Sequence, residues 1–223
     1  HEIVRMTSNI MQTSSYATLG YLSEIPNAPI PYMFGGEGTE EGFSSYCFEN
    51  AKGIYSIDTI YNIFLKTGAS DSVIINFHHP ELNNAKSKFI LAKFKEEPSN
   101  SAFLFPTEID MVMDVANKTV MSITHKATIE YGIPTELDFN GLFDNYKIMS
   151  TINTRLRRNS GRLQFQTRVL RSGEEIFDWK LLARLGFEEG VTYRLNRVKS
   201  EVGMFPVHLR VLVNNNKIPL KTN

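Results

Sequence analysis

Hydrophobic and polar side chains alternate along several segments of this chain, most clearly in its middle. Residues 109–115 and much of 121–131 place apolar side chains at every second position, and the short connection Ala116-Asn117-Lys118 lies between them. Successive side chains of a β-strand point to opposite faces of the sheet, so this spacing predicts two strands that each bury one face. Because the connection is short, the two strands are predicted to pair as an antiparallel hairpin.

The same pattern predicts further strands on both sides of this hairpin. These segments combine β-branched or aromatic residues with a period of two, which is typical of half-buried strands. They cover residues 72–78, 88–94, 163–171, 191–198 and 207–213. Strands that follow one another in this way favour an antiparallel sheet.

Three short helices are predicted between the strands. The first covers residues 56–68 and the second covers residues 139–149. The third opens with Ser172 and Glu175, whose spacing matches a capping box, and it ends at Gly186. Together, strands and helices predict an α+β fold that is mostly antiparallel β with about three short helices.

The first part of the chain has a different composition. Pro26, Pro29 and Pro31 disfavour helix in the residues before them, and a glycine-rich stretch follows. Residues 1–45 are therefore predicted to be an extended N-terminal arm. Residues 46–223 are predicted to be a single α+β domain, with a sub-boundary near residue 150 as the alternative.

Charge is divided unevenly between the two parts of the chain. Residues 1–150 carry 10 Lys+Arg against 18 Asp+Glu, whereas residues 151–223 carry 14 against 6. Ten of the 11 arginines lie between Arg155 and Arg210. The neutral total thus hides an acidic front and a basic back, which favours a polyanionic partner or charge-paired assembly.

The arginines around residue 155 form the strongest candidate binding site. A guanidinium group can bind a phosphate or carboxylate through two parallel hydrogen bonds, and arginine is enriched at protein interfaces. We expect the polyanion- or partner-binding side chains to be Arg155, Arg157, Arg158, Arg162, Gln164, Arg168 and Arg171. The alternative interpretation is a solvated turn whose arginines pair with the acidic half of the chain.

Catalytic and cofactor motifs are weak in this sequence. Cys47 is the only cysteine, which rules out an intramolecular disulfide. Cys47 with a histidine base would suit a thiol enzyme, but its aromatic neighbours favour a small core residue. We expect no cofactor, no metal site and, since no apolar run approaches about 18 residues, no transmembrane segment. Scarce cysteine favours a reducing compartment and therefore an intracellular location, whereas a virion location would follow from the particle hypothesis given below.

The split charge, the predicted arm and the polar β segments favour a non-enzymatic structural or assembly protein. Its copies, or a copy and a larger complex, would associate through charge-complementary surfaces. A viral capsid protein or another particle component is the concrete form of this hypothesis. Two alternatives stay open: an RNA- or DNA-binding accessory protein that uses the basic C-terminal half, and a cysteine-dependent enzyme.

Overall fold

The structure is a computed structural model, and it describes residues 2–29, 44–98, 104–130, 133–157, 160–188, 192–204 and 207–219. The described α-helices are α1 (Glu2–Met11), α2 (Ser14–Ser23) and α3 (Ser45–Ala51). The described strands are β1 (Gly53–Asp58), β2 (Ile63–Gly68), β3 (Val73–His79), β4 (Ala85–Pro98), β5 (Leu104–Val115), β6 (Lys118–Glu130), β7 (Ile133–Phe143), β8 (Tyr146–Arg157), β9 (Ser160–Arg171), β10 (Glu174–Glu188), β11 (Thr192–Met204) and β12 (Val207–Pro219). A 3-10 turn (Pro80–Leu82) connects β3 and β4.

The strands follow a simple order. Each strand from β3 to β12 is hydrogen-bonded to the next one in the sequence, as in a meander. At the other end, β1 pairs in parallel with β3 and antiparallel with β2. Contacts between Cα atoms group the chain into two compact units. The first unit comprises residues 1–96, 108–124 and 141–144, and the second comprises residues 97–107, 125–140 and 145–223.

The predicted α+β class is wrong, because the described structure is mostly β. Strands account for 70% and helices for 14%. None of the three predicted helices forms. The described helices lie instead at Glu2–Met11, Ser14–Ser23 and Ser45–Ala51, so much of the segment that was predicted to be extended is helical. The proline-rich and glycine-rich part of that segment, residues 30–43, lies outside the described residues.

The predicted third helix is the strand β10. Ser172 and Gly173 have positive φ angles of 52° and 89°, as the two central residues of a type I′ hairpin turn require. They therefore join β9 to β10 and do not cap a helix. Beyond the turn, every odd position from Phe177 to Leu185 is apolar. This period of two, over a strand of 15 residues, outweighs the helical spacing that the same apolar residues also allow.

The other two predicted helices are hairpins. Residues 139–149 contain the end of β7, a turn at Asp144 and the start of β8. Residues 56–68 contain the end of β1 and all of β2. Between them, Asp58 Oδ1 accepts hydrogen bonds from the backbone N–H groups of Ile60 (2.8 Å) and Tyr61 (3.1 Å). A side chain that accepts from the backbone in this way favours a turn over a continuing helix.

The first unit contains a continuous hydrophobic core. Strand β3 alternates buried and exposed side chains, so that Val73 and Ile75 point inward. Leu22 of α2 and Phe48 of α3 belong to the same buried cluster, as do side chains of β4, β5 and β6. The predicted buried face of residues 109–115 is confirmed by Met111, Met113 and Val115, which are all buried.

A carboxylate anchors α2 within this unit. Asp144, in the turn between β7 and β8, accepts hydrogen bonds from Ser14 Oγ (2.5 Å) and from the backbone N–H of Ser15 (2.9 Å). Thr13 stands at the N-cap position of α2 but makes no capping hydrogen bond with its side chain. A residue far along the chain therefore caps this helix, and its negative charge also suits the positive end of the helix dipole.

Replacing Asp144 with glycine should destabilise the protein by about 1–2 kcal/mol, because a helix cap is removed. Glycine is chosen because Asp144 has a φ of 55°, a conformation that glycine adopts without strain. Urea unfolding measures the effect. Asn117→Gly is the control, since Asn117 is an exposed turn residue with a φ of 61°. Equal stability of the two variants would contradict the anchoring role.

Candidate functional site

Arginines from four successive strands meet in one line within the second unit. Register places Arg155 of β8 opposite Arg162 of β9, Arg162 opposite Arg184 of β10, and Arg184 opposite Arg197 of β11. Opposite residues on antiparallel strands share a face of the sheet, and neighbouring strands lie about 4.8 Å apart. These four residues, hereafter the arginine row, therefore cross four strands over about 14 Å. All four side chains are exposed.

The arginine row lies on a polar side of the sheet, hereafter the basic face. Register places one adjacent line of residues, Asn153, Gln164, Leu182, Lys199 and Leu212, on the same face. The next line contains Thr151, Gln166, Lys180, Glu201 and Arg210. The basic face of the described strands thus combines guanidinium, ammonium and amide groups.

The opposite side of the same strands, hereafter the apolar face, holds the hairpins together. The Phe165 ring meets the Trp179 ring edge to face, with centroids 5.1 Å apart, and Trp179 Nε1 donates to Ser200 Oγ (2.9 Å). Gly161 fits between Leu156 and Leu185, where a Cβ atom would lie 3.2 Å and 3.4 Å from their side chains. Packing on the apolar face therefore fixes the relative positions of these strands, whose opposite side carries the arginines.

A backbone irregularity lies beside the arginine row. Arg184 pairs with Arg197, but the next residue, Leu185, pairs with Leu195, so β11 carries one extra residue at this point. The pairing of β11 with β12 also shifts between Leu195 and Arg197. A β-bulge increases the local twist and changes the direction of nearby side chains, and bulges are common next to binding sites.

Two depressions lie along the basic face. One has a volume of about 360 Å³ and is lined by Arg155, Arg157, Ser160, Gly161, Arg162 and Arg184. The other has a volume of about 390 Å³, and its lining includes Thr151, Asn153, Gln164, Gln166 and Lys180. The first is lined by four arginines and no carboxylate, so its chemistry suits an anion.

Two lysines of the basic face, Lys180 and Lys199, are neutralised by neighbouring carboxylates. Lys180 Nζ lies 2.6 Å from Asp178, and Lys199 Nζ lies 2.8 Å from Glu201. Burial raises the pKa of Asp178, but hydrogen bonds from Lys180 and Gln166 outweigh it and leave that pKa below its usual value. The hydrogen bond from Lys199 lowers the pKa of Glu201. These pairs leave this part of the face close to neutral.

The arginine row differs from these two lysines. Among the side chains that the structure describes, no carboxylate lies within 4.0 Å of any of the four guanidinium groups of the row. Like charges directly opposite each other on neighbouring strands destabilise a sheet. The row is therefore a positive site without a protein counter-ion in the described part of the chain, which an external anion would stabilise.

The structure separates the residues that the sequence predicted as one site. Arg155, Arg157, Arg162, Gln164 and Arg168 lie on the basic face, and Arg168 is paired with Asp178 across the strands. Arg171 lies on the opposite side, where its guanidinium stands 5.6 Å from the centre of the Tyr146 ring. Arg158 lies outside the described residues. The predicted binding role itself stays a prediction.

Two members of the arginine row were missed by the sequence analysis. Arg184 was assigned to a helix, and Arg197 was not connected with residues 155–168. The alternation of β10 could have revealed Arg184, because apolar residues fill the odd positions and Lys180 and Arg184 fall among the even ones. Arg197 follows only from the register of β10 with β11, which the sequence pattern does not specify.

The other candidate centre, Cys47, has a local role. It lies near the start of α3, where Ser44 Oγ accepts from its backbone N–H and donates to its Sγ, both at 3.2 Å. Among the described residues, no histidine is hydrogen-bonded to this sulfur. The geometry therefore gives no support to a Cys–His pair.

No protein-family model, curated protein or solved structure matches the chain. None of the described helices combines the length and the apolar character needed to cross a bilayer.

Acidification should weaken the interactions of Asp178. Because the pKa of Asp178 is lowered on folding, its ionised form stabilises the folded state above the usual value of 3.8, and this contribution disappears as the pH falls through the folded-state pKa. We expect Asp178→Asn to flatten the decline in stability between about pH 5 and pH 2 in urea titrations. If the unfolding free energy of Asp178→Asn declined with falling pH as steeply as that of the parent, a lowered pKa of Asp178 would be contradicted.

Removing one charge from the middle of the arginine row should relieve repulsion. Arg184→Gln removes the like-charge pairs with Arg162 and Arg197, so we expect a stability gain of about 0.5 kcal/mol at low salt that disappears at high salt. Thermal unfolding at several salt concentrations measures this. Arg168→Gln is the control, because Arg168 faces Asp178 and its removal should not stabilise the fold.

Proposed function

We propose that the protein is a non-enzymatic binding protein. Its basic face binds an extended polyanion, which lies across strands β8 to β11. The observation that carries this proposal is the arginine row, in which Arg155, Arg162, Arg184 and Arg197 face one another without described carboxylate partners. An arrangement that weakens the isolated sheet is better explained by a ligand than by stability.

The spacing of the row supports a linear ligand. Guanidinium groups on neighbouring strands start about 4.8 Å apart, and each offers a planar fork of donors to a phosphate, sulfate or carboxylate. A polymer with regularly repeated negative charges would lie across the strands and meet several forks in turn. The depression lined by Arg155, Arg157, Arg162 and Arg184 marks where this polymer would approach the protein most closely.

The side chains of the basic face argue against specific recognition of nucleic acid bases. Proteins that hold single strands by their bases use exposed aromatic side chains as stacking platforms. Among the side chains of β9 and β10 that the structure describes, the aromatic ones, Phe165, Phe177 and Trp179, belong to the opposite face. Binding would therefore depend on the charges of the polymer and not on its sequence, and it would weaken strongly with added salt.

The assembly hypothesis from the sequence analysis stays a prediction. An acidic surface of another protein subunit would offer the same carboxylates to the arginine row as an acidic polymer would. The particle or capsid form of that hypothesis has no separate support in the fold. The nucleic-acid alternative differs only in the source of the anion, so one set of probes can distinguish them.

Substituting glutamine for Arg155 and Arg184 together should weaken polyanion binding at least about tenfold at low salt, because two guanidinium groups that bind anions are removed. Fluorescence anisotropy with labelled polyphosphate, oligothymidylate and polyglutamate measures the affinity. For the oligothymidylate, the slope of log K against log salt should become shallower by about 0.7 for each phosphate that the variant no longer neutralises.

Arg171→Gln is the matched control for this experiment. It removes one positive charge from the same sheet, where the double variant removes two, but Arg171 lies on the apolar face beside Tyr146. If Arg171→Gln weakened binding as much as the double variant, binding would depend only on the net charge of the protein. The arginine row would then not be the binding site. Absence of salt-dependent binding to all three polymers would overturn the proposal. Preference for polyglutamate would favour an acidic protein partner over nucleic acid.

A further inference from the structure

We propose that the outer edge of β12 binds an extended peptide segment in which apolar and acidic residues alternate. β12 stands at one end of the strand order, and β11 is the one described strand that pairs with it. The outer edge of such a strand presents N–H and C=O groups that can pair with an added strand. This site would act in addition to the arginine row.

The side chains of β12 make its edge unusual. Leu209 and Val211, on the apolar face, are 58% and 44% exposed, and Leu212, on the basic face, is 45% exposed. Protein sheets normally protect a terminal strand with a charge, a proline, a bulge or a very short length. β12 runs for 13 residues, and its register shift against β11, its lysine and its proline all lie in its second half. In the first half, Arg210 is the one charge between these three apolar side chains.

The opposite end of the strand order provides a contrast. β2 is a terminal strand of only six residues. Its Lys66 and Thr67 are exposed, and Lys66 Nζ donates to the Lys52 carbonyl oxygen at 2.6 Å. A short strand with a lysine is protected against pairing in the usual way. Apart from Arg210, residues 207–213 of β12 carry no comparable protection in the described part of the chain, which favours a partner at this edge.

Charge identifies the kind of partner. Residues 202–223 contain three Lys+Arg and no Asp or Glu. Arg210 has its nearest described carboxylate at Glu201, 3.5 Å from Nε, and its side chain is 68% exposed. A second copy would bring either another β12, which carries arginine and lysine, or β2, which carries lysine. Both pairings place like charges together, so an acidic segment fits better than a second copy.

The two faces of the sheet specify the pattern of the partner. An added strand continues both faces, since its side chains alternate between them. Positions on the apolar side would cover Leu209 and Val211, and positions on the basic side would meet Arg210. Valine and glutamate in alternation meet both requirements, whereas the same residues grouped in two blocks do not.

The proposed edge site is independent of the proposed polyanion site. The arginine row ends at Arg197 of β11, and the residue that follows it on β12 is Asn214. A segment that pairs with the outer edge of β12 would lie two strand spacings from β11, or about 10 Å, because β12 lies between them. Peptide binding at the edge should survive replacement of Arg155 and Arg184.

The test uses the full chain and a labelled peptide of about nine residues that alternates valine and glutamate. Fluorescence anisotropy should show binding that weakens at least about tenfold in a variant with Leu209→Gln and Val211→Gln, which removes the apolar contacts without adding charge. Leu65→Gln, at the exposed Leu65 of the other terminal strand, should bind as the parent does. Far-UV circular dichroism and polyphosphate binding report whether each variant is folded.

Two further comparisons examine charge and pattern. A peptide of the same composition, in which the valines and the glutamates form two separate blocks, should bind at least about tenfold more weakly than the alternating peptide. Arg210→Glu should exchange the preference, so that alternating valine and lysine binds better than valine and glutamate. The proposal would be overturned if the two-block peptide bound as tightly as the alternating peptide. It would also be overturned if the alternating peptide bound the Leu209 and Val211 variant as tightly as the parent. A mass in light scattering that doubles with protein concentration in the parent but not in the Leu209 and Val211 variant would overturn it as well, because a second copy would then occupy the edge.

Discussion

The register of the C-terminal hairpins is the constraint on which the described site depends. The turn of Ser172 and Gly173 has two residues, so it places Arg171 directly opposite Glu174 and fixes the pairing of β9 with β10 beyond a bulge near Phe177. Side chains in a strand alternate with a period of two, so a slip of one residue would move every side chain of β10 to the other face. Arg184 would then join the apolar face, and Trp179 would be exposed beside Gln166.

The two faces of these strands have opposite effects on stability. Packing of Phe165 against Trp179, and of Gly161 against Leu185, favours the observed register. The arginine row opposes it through repulsion between neighbouring guanidinium groups. Each like-charge pair is worth less than about 1 kcal/mol, whereas burial of a large apolar side chain contributes about 1.5–3 kcal/mol. Hydrophobic packing can therefore maintain a basic row that electrostatics alone would separate.

The sequence predicts local features of this structure better than its connections. Alternation correctly located the strands at residues 109–115 and 163–171, because one face of each meets apolar neighbours. It failed at residues 172–186, where the Ser172–Glu175 spacing is equally typical of a helix start. The error affected the site as well, since a helical Arg184 cannot face Arg162. Arg155 and Arg162 were recognised as neighbours because they are close in the sequence, whereas Arg197 depends on a pairing between strands.

The open edge and the arginine row use charge in different geometries. The row crosses the strands, so its ligand would follow the hydrogen-bonding direction of the sheet, whereas a strand added to β12 would run along the strands. One rigid segment cannot follow both directions. A single acidic partner would need either a bend or two separate segments, and binding at the two sites would then be mutually reinforced through effective concentration. A short linear polyanion would engage the row alone, because it has no backbone that could pair with β12.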